Sequence, residues 1–170
     1  SAASDVYKRQ IIGSGPGGLT AAYDLAKKGY QPVIFEALPK AGGMLRVGIP
    51  EYRLPDDILD YEIELIKQTG VEIKTNTPVG PHLTYHDLLN QGFRAIFIAS
   101  GTHKNRSLRI EGEELEGVIS GVQFLRDVNS GQSSLEEETP ATISSQGEKR
   151  GVSIVKDKVV AVIGGGNTAI

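Results

Sequence analysis

Three glycines have the spacing most typical of a nucleotide-binding turn: Gly13, Gly15 and Gly18 form the pattern GxGxxG. They follow two adjacent isoleucines, and Pro16 opens a segment whose apolar residues have helical spacing. In this setting the first glycine permits a tight turn, the second lets a diphosphate approach the backbone, and the third lets helix and strand pack closely. The amides and positive dipole end of the helix would face the diphosphate. The pattern therefore predicts a dinucleotide site.

An acidic residue follows at the distance that such a site requires. Glu36 ends the apolar stretch 32–35, eighteen residues after Gly18. A carboxylate at this position accepts hydrogen bonds from the ribose hydroxyls of an adenosine. Two other interpretations remain open: a structural glycine turn beside a solvated glutamate, and a dehydrogenase that binds NAD at this turn.

The glycine pattern recurs near the end of the chain. Gly164, Gly166 and Ala169 form GxGxxA directly after the apolar stretch 159–163. Two such sites imply two dinucleotides, and the chemistry that uses both is hydride exchange between a nicotinamide and a flavin. Chance, or an internal repeat without a second ligand, is the alternative. The chain stops before the residue that would distinguish NAD from NADP.

The composition excludes several classes of protein. The chain has 170 residues, enough for one domain or for one and part of a second, and its 39% apolar residues are ordinary for a soluble domain. No apolar run approaches the roughly 20 residues that cross a bilayer, so we predict no membrane contact. The 18 basic and 21 acidic residues are scattered, which argues against nucleic acid as a partner. Without cysteine, the chain supplies no disulfide, thiolate zinc site or iron–sulfur ligand.

No side chain is assigned a catalytic or metal-binding role. His82 and His86 straddle a predicted helix start without a carboxylate cluster to complete a metal set, and His103 is the only other histidine. Ser14 lies in GSGPGG, which does not match the nucleophile elbow GxSxG. We therefore predict that the chemistry resides in bound cofactors.

The elements that would position these motifs alternate between strand and helix. Residues 11–36 have the length and pattern of a βαβ unit, and a stretch rich in glycine and proline follows at 39–55. Asp56 or Asp57 is expected to cap the next helix, which precedes a strand over 71–74. This alternation predicts an α/β fold of the Rossmann type with a parallel sheet.

The second half of the chain carries shorter signals. Thr84 and Asp87 have the spacing of a capping box, which predicts a short helix over 84–91. Further predicted elements are strands over 95–99, 118–119 and 159–163 and a helix around residues 124–125.

Three stretches resemble, in order and spacing, the small-subunit family of NADPH-dependent glutamate synthase: IIGSGPGGLTAAYDLAKKGYQPVIFEALPKAGGMLRVGIPEYRLP, AIFIASGTHK and VVAVIGGGNTAI. The resemblance covers residues 11–129 and 158–170, and its most specific part is GGMLRVGIPEYRLP. The same module is similar to the flavin part of dihydropyrimidine dehydrogenase and to the NADP-binding subunit of ferredoxin-dependent transhydrogenases. Departures are Gly17, where the family usually has alanine, and the polar stretch 130–151, which is longer than the usual connection.

The resemblance implies a flavoprotein with two dinucleotide-binding domains. Residues 11–129 would form the first segment of a Rossmann-like FAD-binding domain, 130–157 a linker, and 158–170 the truncated start of a Rossmann-like NAD(P) domain. Residues 1–10 are too polar for the start of a buried strand. We expect a non-native tail there, such as translated adapter sequence, with a natural polar extension as the alternative. The chain is expected to be a fragment of a longer protein.

The resemblance also implies where two dinucleotides would bind. For FAD the positions are Gly13, Gly15, Pro16, Gly17 and Gly18 at the diphosphate, Glu36 at the adenosine ribose, Gly43, Met44 and Arg53 at the flavin, Val79 at the adenine and Gly101 over the cofactor; for NAD(P)H they are Gly165, Gly166, Asn167 and Thr168.

The implied activity is electron transfer in the cytoplasm. NAD(P)H would pass a hydride to FAD, and electrons would leave singly to an iron–sulfur domain or partner subunit outside this chain, such as the glutamate synthase large subunit. No side chain need act as an acid or base, because catalysis would consist in holding nicotinamide C4 against flavin N5. The alternatives are a cofactor-holding module that is incomplete by itself and a subunit of a ferredoxin–NADP transhydrogenase.

Overall fold

The structure is a computed structural model that describes residues 8–103, 107–130, 155 and 157–166. None of the helices in this part of the chain is long and apolar enough to cross a membrane. Its regular elements, in chain order, are β1 (Lys8–Ile12), α1 (Pro16–Lys27), β2 (Gln31–Phe35), α2 (Met44–Val47), α3 (Asp56–Gln68), β3 (Glu72–Lys74), α4 (Tyr85–Asn90), β4 (Ala95–Ile98) and α5 (Gly121–Ser130).

The chain divides into two units, of which the first contains the sheet. The first unit comprises Ser1–Arg46 and Leu54–Gly101, and the second comprises Val47–Arg53 and Thr102–Ile170. Four parallel strands lie in the order β3-β2-β1-β4. Helix α1 connects the adjacent parallel strands β1 and β2, which confirms the predicted βαβ unit. The α/β, Rossmann-like fold expected from the sequence is therefore confirmed.

Side chains from the two faces of the sheet form two apolar clusters. Ile11 and Ile34 belong to the cluster that includes side chains of α1 and α3. Val33 and Phe35 precede and follow Ile34, so they point to the opposite face, where they cluster with Leu88 of α4. Burial on both faces explains the continuous apolar residues 32–35 of β2, whereas β1 is apolar only at Ile11 and Ile12.

Two helix starts were predicted from capping signals, and one of them is confirmed. The Thr84 hydroxyl accepts a hydrogen bond from the Asp87 amide at 3.3 Å, and an Asp87 carboxylate oxygen accepts one from the Thr84 amide at 2.8 Å. The prediction that Asp56 or Asp57 caps α3 is wrong, because Pro55 is the N-cap and both aspartates lie in the first turn. A proline disfavours helical backbone in the residue before it, so the helix starts after Pro55.

The capping box makes the stability of the chain depend on pH. Hydrogen bonds from the hydroxyl and the amide of Thr84 hold the pKa of Asp87 below its ordinary value of 3.8. A carboxyl group whose pKa is lowered by folding contributes stability above its unfolded pKa and loses it as the pH falls through the folded pKa. We therefore expect Asp87→Asn to lower the free energy of unfolding in urea at neutral pH and to have little effect at strongly acidic pH. An equal effect at both pH values would contradict this account.

Strand β1 begins three residues before the predicted boundary at Ile11. Its polar start is accommodated because Lys8 is exposed and the Arg9 guanidinium lies 4.6 Å from the centre of the Tyr30 ring. Gln10 is fully buried, and its Nε2 donates a hydrogen bond to the Ile11 carbonyl oxygen at 3.1 Å. Residues 8–10 thus form the start of the strand despite their polarity, because backbone pairing with β2 and β4 fixes it. The non-native origin of the first ten residues stays a prediction.

In the second unit, the helix expected around residues 124–125 is α5. The strand predicted over 118–119 is not formed. Instead, the Val118 amide donates to the Leu115 carbonyl oxygen at 3.1 Å, which is the hydrogen bond of a turn. Two apolar residues between turns do not specify which strand they would pair with. The apolar type of Val118 and Ile119 was therefore not sufficient to predict a strand.

The apolar stretch 159–163 is also not a strand in the structure. None of the described residues pairs with it, and Val159 and Ile163 are 105% and 81% exposed. An apolar stretch becomes a strand only where a neighbour satisfies its amide and carbonyl groups, so hydrophobicity by itself was not sufficient. Most of the predicted linker, residues 131–154, lies outside the described residues.

Candidate dinucleotide site

The glycine turn follows β1 at the edge of the sheet where β2 and β4 also end. The Gly13 amide donates to the Phe35 carbonyl oxygen, and the Ala99 amide donates to the Ile12 carbonyl oxygen, both at 2.8 Å. Gly13 has a φ of +99°, and a Cβ there would lie 2.4 Å from the Ala99 carbonyl oxygen. Both the backbone conformation and the space therefore require glycine, as expected for the first residue of the motif.

Gly18 lets α1 approach the turn and β1 closely. A Cβ at this position would lie 2.0 Å from the Gly13 carbonyl oxygen and 3.4 Å from Cγ2 of Ile11. The first of these distances is far shorter than any van der Waals contact, so a side chain would separate the helix from the strand. Gly13 and Gly18 are thus required by the fold of the chain itself, without reference to a ligand.

Gly15 and Gly17 have no such packing role. Apart from the chain neighbours and the backbone of α1 itself, a Cβ on either would have no heavy atom of the described residues within 4 Å. Gly15 is the N-cap of α1 with a φ of −68°, which any residue can adopt, and Pro16 is the first helical residue. The first amides of a helix have no partner within it and carry its positive dipole end. The open space beside Gly15 therefore has the room and the potential to receive an anionic group such as a diphosphate.

Glu36 is a buried carboxylate at the end of β2, with only 6% of the residue exposed. Its Oε2 accepts hydrogen bonds from the Ser14 amide at 2.9 Å and from the Ser14 hydroxyl. Its Oε1 accepts a hydrogen bond from the Leu38 amide at 2.8 Å. The interpretation of Glu36 as a solvated side chain is therefore wrong, because three donors hold the carboxylate beside the glycine turn.

Ser14 also joins the turn to the segment between β2 and α2. The Gly42 amide donates to the Ser14 hydroxyl oxygen at 3.1 Å and to the Ser14 carbonyl oxygen at 3.2 Å. Next to it, a Cβ on Gly43 would lie 2.8 Å from Cα of Gly15. Gly43 therefore packs its backbone directly against the turn, and the structure brings it together with the glycines of the motif and with Glu36.

Arg46 holds the same segment to α3. Its side chain is buried, and Nε donates to the Ala41 carbonyl oxygen at 2.7 Å. Its Nη1 lies 3.2 Å from a carboxylate oxygen of Asp56, and Nη2 pairs with Asp60. Neither Arg46 nor Ser14 was assigned a role from the sequence, where Ser14 was considered only as a nucleophile, although both lie in the strings that carry the resemblance. The one available signal for Arg46 was the pair of aspartates four residues apart at the start of a predicted helix.

We expect Arg46→Met to lower the free energy of unfolding by about 1–3 kcal/mol, because it leaves the buried Ala41 carbonyl without this donor. The matched control is Lys67→Met, which removes an exposed ion pair with Glu64 at 2.6 Å and is expected to cost less than about 1 kcal/mol. Urea denaturation of both variants measures the difference. Equal losses of unfolding free energy in the two variants would show that the buried contacts of Arg46 stabilise the chain no more than an exposed ion pair does.

The other four residues assigned to FAD lie in four different places. Met44 is half-buried at the start of α2, and Val79 is half-buried between β3 and α4, packed against the apolar cluster of that face. Gly101 follows β4 with a φ of +68° and is exposed. Arg53 belongs to the second unit, where it is exposed and its guanidinium lies 5.8 Å from the centre of the Tyr52 ring.

The residues assigned to NAD(P)H are only partly described. Gly165 and Gly166 are exposed and lie outside helices and strands in the second unit, whereas Asn167 and Thr168 lie outside the described residues. Within the described ranges, no group of three or more histidines, aspartates and glutamates lies close enough together to hold a metal ion. Of the two predicted dinucleotide sites, only the one at the first glycine turn has its residues brought together in the described part of the chain.

Two curated relatives match nearly the whole chain. The NADP(+)-dependent formate dehydrogenase subunit beta of Moorella thermoacetica is 48% identical over 165 residues, which are 96% of this chain and 20% of that protein. The glutamate synthase (NADPH) small chain of Bacillus subtilis is 35% identical over 161 residues, which are 95% of this chain and 30% of that protein. The chain therefore spans less than a third of the length of either relative.

A solved structure and a family profile also match this chain. Among solved structures, Mycobacterium tuberculosis FprA in complex with NADPH superposes with a TM-score of 0.67 at 27% identity, covering 73% of this chain and 29% of that chain. The sequence profile of the pyridine nucleotide-disulphide oxidoreductases matches residues 7–170. This match extends over most of the chain and includes both glycine patterns, so the chain belongs to the pyridine nucleotide-disulphide oxidoreductase family.

Proposed function

We propose that this chain binds FAD at its first glycine turn, as part of an oxidoreductase that takes electrons from NAD(P)H. One arrangement carries the proposal: the open space beside Gly15, at the start of the 12-residue helix α1, lies next to the buried carboxylate of Glu36. Packing within the chain does not require a glycine at position 15. The close approach of a ligand would explain why the residue there is small. The residues present therefore fit a dinucleotide.

The binding contributions follow from the chemistry of the donors. The amides at the start of α1 would donate to the diphosphate, and the helix dipole would stabilise its negative charge. Glu36 would accept from the adenosine ribose, because a carboxylate oxygen can accept more than one hydrogen bond. Gly43, which packs against Gly15, would let the ligand pass close to the backbone.

FAD, when bound, would supply the hydride acceptor of the reaction. The task of this chain would be to hold and orient it, with Met44 and Gly101 as further candidates for contact. NAD(P)H would bind at the second glycine pattern, which begins at Gly164 and includes Gly165, Gly166 and the following residues. None of these positions needs to donate or accept a proton.

The names of the relatives support an electron acceptor that lies in a partner subunit. Two of them are named as a subunit beta and a small chain, which are names of chains in multi-subunit enzymes. We infer an iron–sulfur domain or partner subunit as the acceptor, in the manner of the glutamate synthase small subunit. A ferredoxin–NADP transhydrogenase subunit is the alternative, and reconstitution with each candidate partner separates the two.

The proposal is tested first by titrating the purified chain with FAD and following the quenching of flavin fluorescence. We expect saturable binding of one FAD per chain, with riboflavin binding far more weakly because it lacks the diphosphate and the adenosine. Binding of NAD with no binding of FAD would overturn the proposal in favour of the dehydrogenase alternative.

The second step is to add NADPH anaerobically to the FAD complex of the longest natural form of the protein. Loss of the flavin absorbance near 450 nm, about the wavelength at which oxidised flavin absorbs, is expected of the oxidoreductase. A complex that stays oxidised while FAD remains bound would identify a cofactor-holding module instead.

A further inference from the structure

We infer that Ser14 is a positioning residue, which aims the carboxylate of Glu36 at the adenosine ribose of the bound dinucleotide. The inference rests on the proposed function, because it concerns the same site. It assigns a role to a position that the glycine motif leaves open to any residue.

Ser14 makes hydrogen bonds through its amide, its hydroxyl and its carbonyl oxygen. Its side chain is fully buried, and both its amide and its hydroxyl donate to Oε2 of Glu36. The Leu38 amide holds the other oxygen, Oε1, at 2.8 Å. Three donors restrict the orientation of this buried carboxylate. Without the hydroxyl, each of its oxygens keeps a single amide donor, so its orientation is restricted less.

The hydroxyl acts on Glu36 rather than on the Gly42 segment. The Gly42 amide has two acceptors on Ser14, the hydroxyl oxygen at 3.1 Å and the carbonyl oxygen at 3.2 Å. Alanine at position 14 keeps the carbonyl, so the Gly42 contact survives the substitution. Glu36 has no such replacement for the hydroxyl, because its second bond to Ser14 already uses the amide.

The inference predicts that Ser14→Ala weakens only those ligands that carry ribose hydroxyls. The probes are ADP and 2′,3′-dideoxy-ADP, measured by competition with FAD on the full chain. We expect Ser14→Ala to weaken FAD and ADP about tenfold, the effect of losing one charge-assisted hydrogen bond. The dideoxy compound should change less than about twofold, because it makes no bond to Glu36. Equal weakening of both probes would show a general structural role and overturn the inference.

Two further variants control the experiment. Glu36→Ala, which removes both acceptor oxygens, should bind ADP as weakly as dideoxy-ADP. Adding Ser14→Ala to it should change the affinity for neither probe, because residues that act through one contact are not additive. Ser14→Cys keeps the volume of the side chain with a weaker donor and should have an intermediate effect, which retains the test if the alanine variant does not fold. Failure of the unsubstituted chain to bind FAD would contradict the proposed function. Binding of FAD and ADP with full affinity by Ser14→Ala would contradict this inference alone.

Discussion

Gly15→Val is expected to abolish FAD binding while leaving the chain folded. Apart from its chain neighbours, a Cβ at this position has no heavy atom of the described residues within 4 Å, and the φ of −68° suits any residue. The valine methyl groups would occupy the space that the diphosphate needs beside the first amides of α1. We expect FAD affinity to fall at least about 100-fold and the free energy of unfolding without ligand to fall by no more than about 2 kcal/mol, the cost of a poorer N-cap residue.

Fluorescence titration with FAD measures the first effect, and urea denaturation without FAD measures the second. The matched control is Thr20→Val, which places the same side chain at an exposed position of the same helix, α1. That control should bind FAD as the unsubstituted chain does. Retention of full FAD affinity by Gly15→Val would show that the ligand does not approach this turn.

Gly18→Ala is expected to show the opposite combination, in which the fold itself is damaged. The added Cβ would lie 2.0 Å from the Gly13 carbonyl oxygen, which is backbone and cannot move away as a flexible side chain can. We expect a loss of about 3 kcal/mol or more of unfolding free energy, because α1 must shift from β1. Thermal and urea unfolding without any ligand measure this loss.

Gly17→Ala is the matched control for stability, since it adds the same methyl group one residue earlier in the same helix. Its Cβ position has open space among the described residues, and alanine is the better helix former. We therefore expect Gly17→Ala to leave the stability unchanged or raise it by up to about 1 kcal/mol. A similar loss in both variants would mean that the close approach of position 18 to the Gly13 carbonyl oxygen does not decide the result.

The local features of this chain followed from its sequence. The βαβ unit, the glycine turn and the capping box at Thr84 and Asp87 each depend on residues close together in the chain. Steric limits on φ, the need for caps and the apolar period act over a few residues, so they can be inferred without knowing the fold. The alternation of strands and helices extended this to the parallel sheet, and the family resemblance added further expected FAD positions such as Gly43 and Gly101.

The tertiary structure decided the features that join distant residues. Ser14 and Glu36 are 22 positions apart, and their hydrogen bonds became visible only when β1 and β2 were placed side by side. The same holds for the close approach of Gly43 to Gly15. In the opposite direction, residues 159–163 had the composition of a strand but no described partner to pair with. Local propensity determines what a segment can become, whereas burial and hydrogen-bond partners, which are set by the rest of the chain, determine what it is.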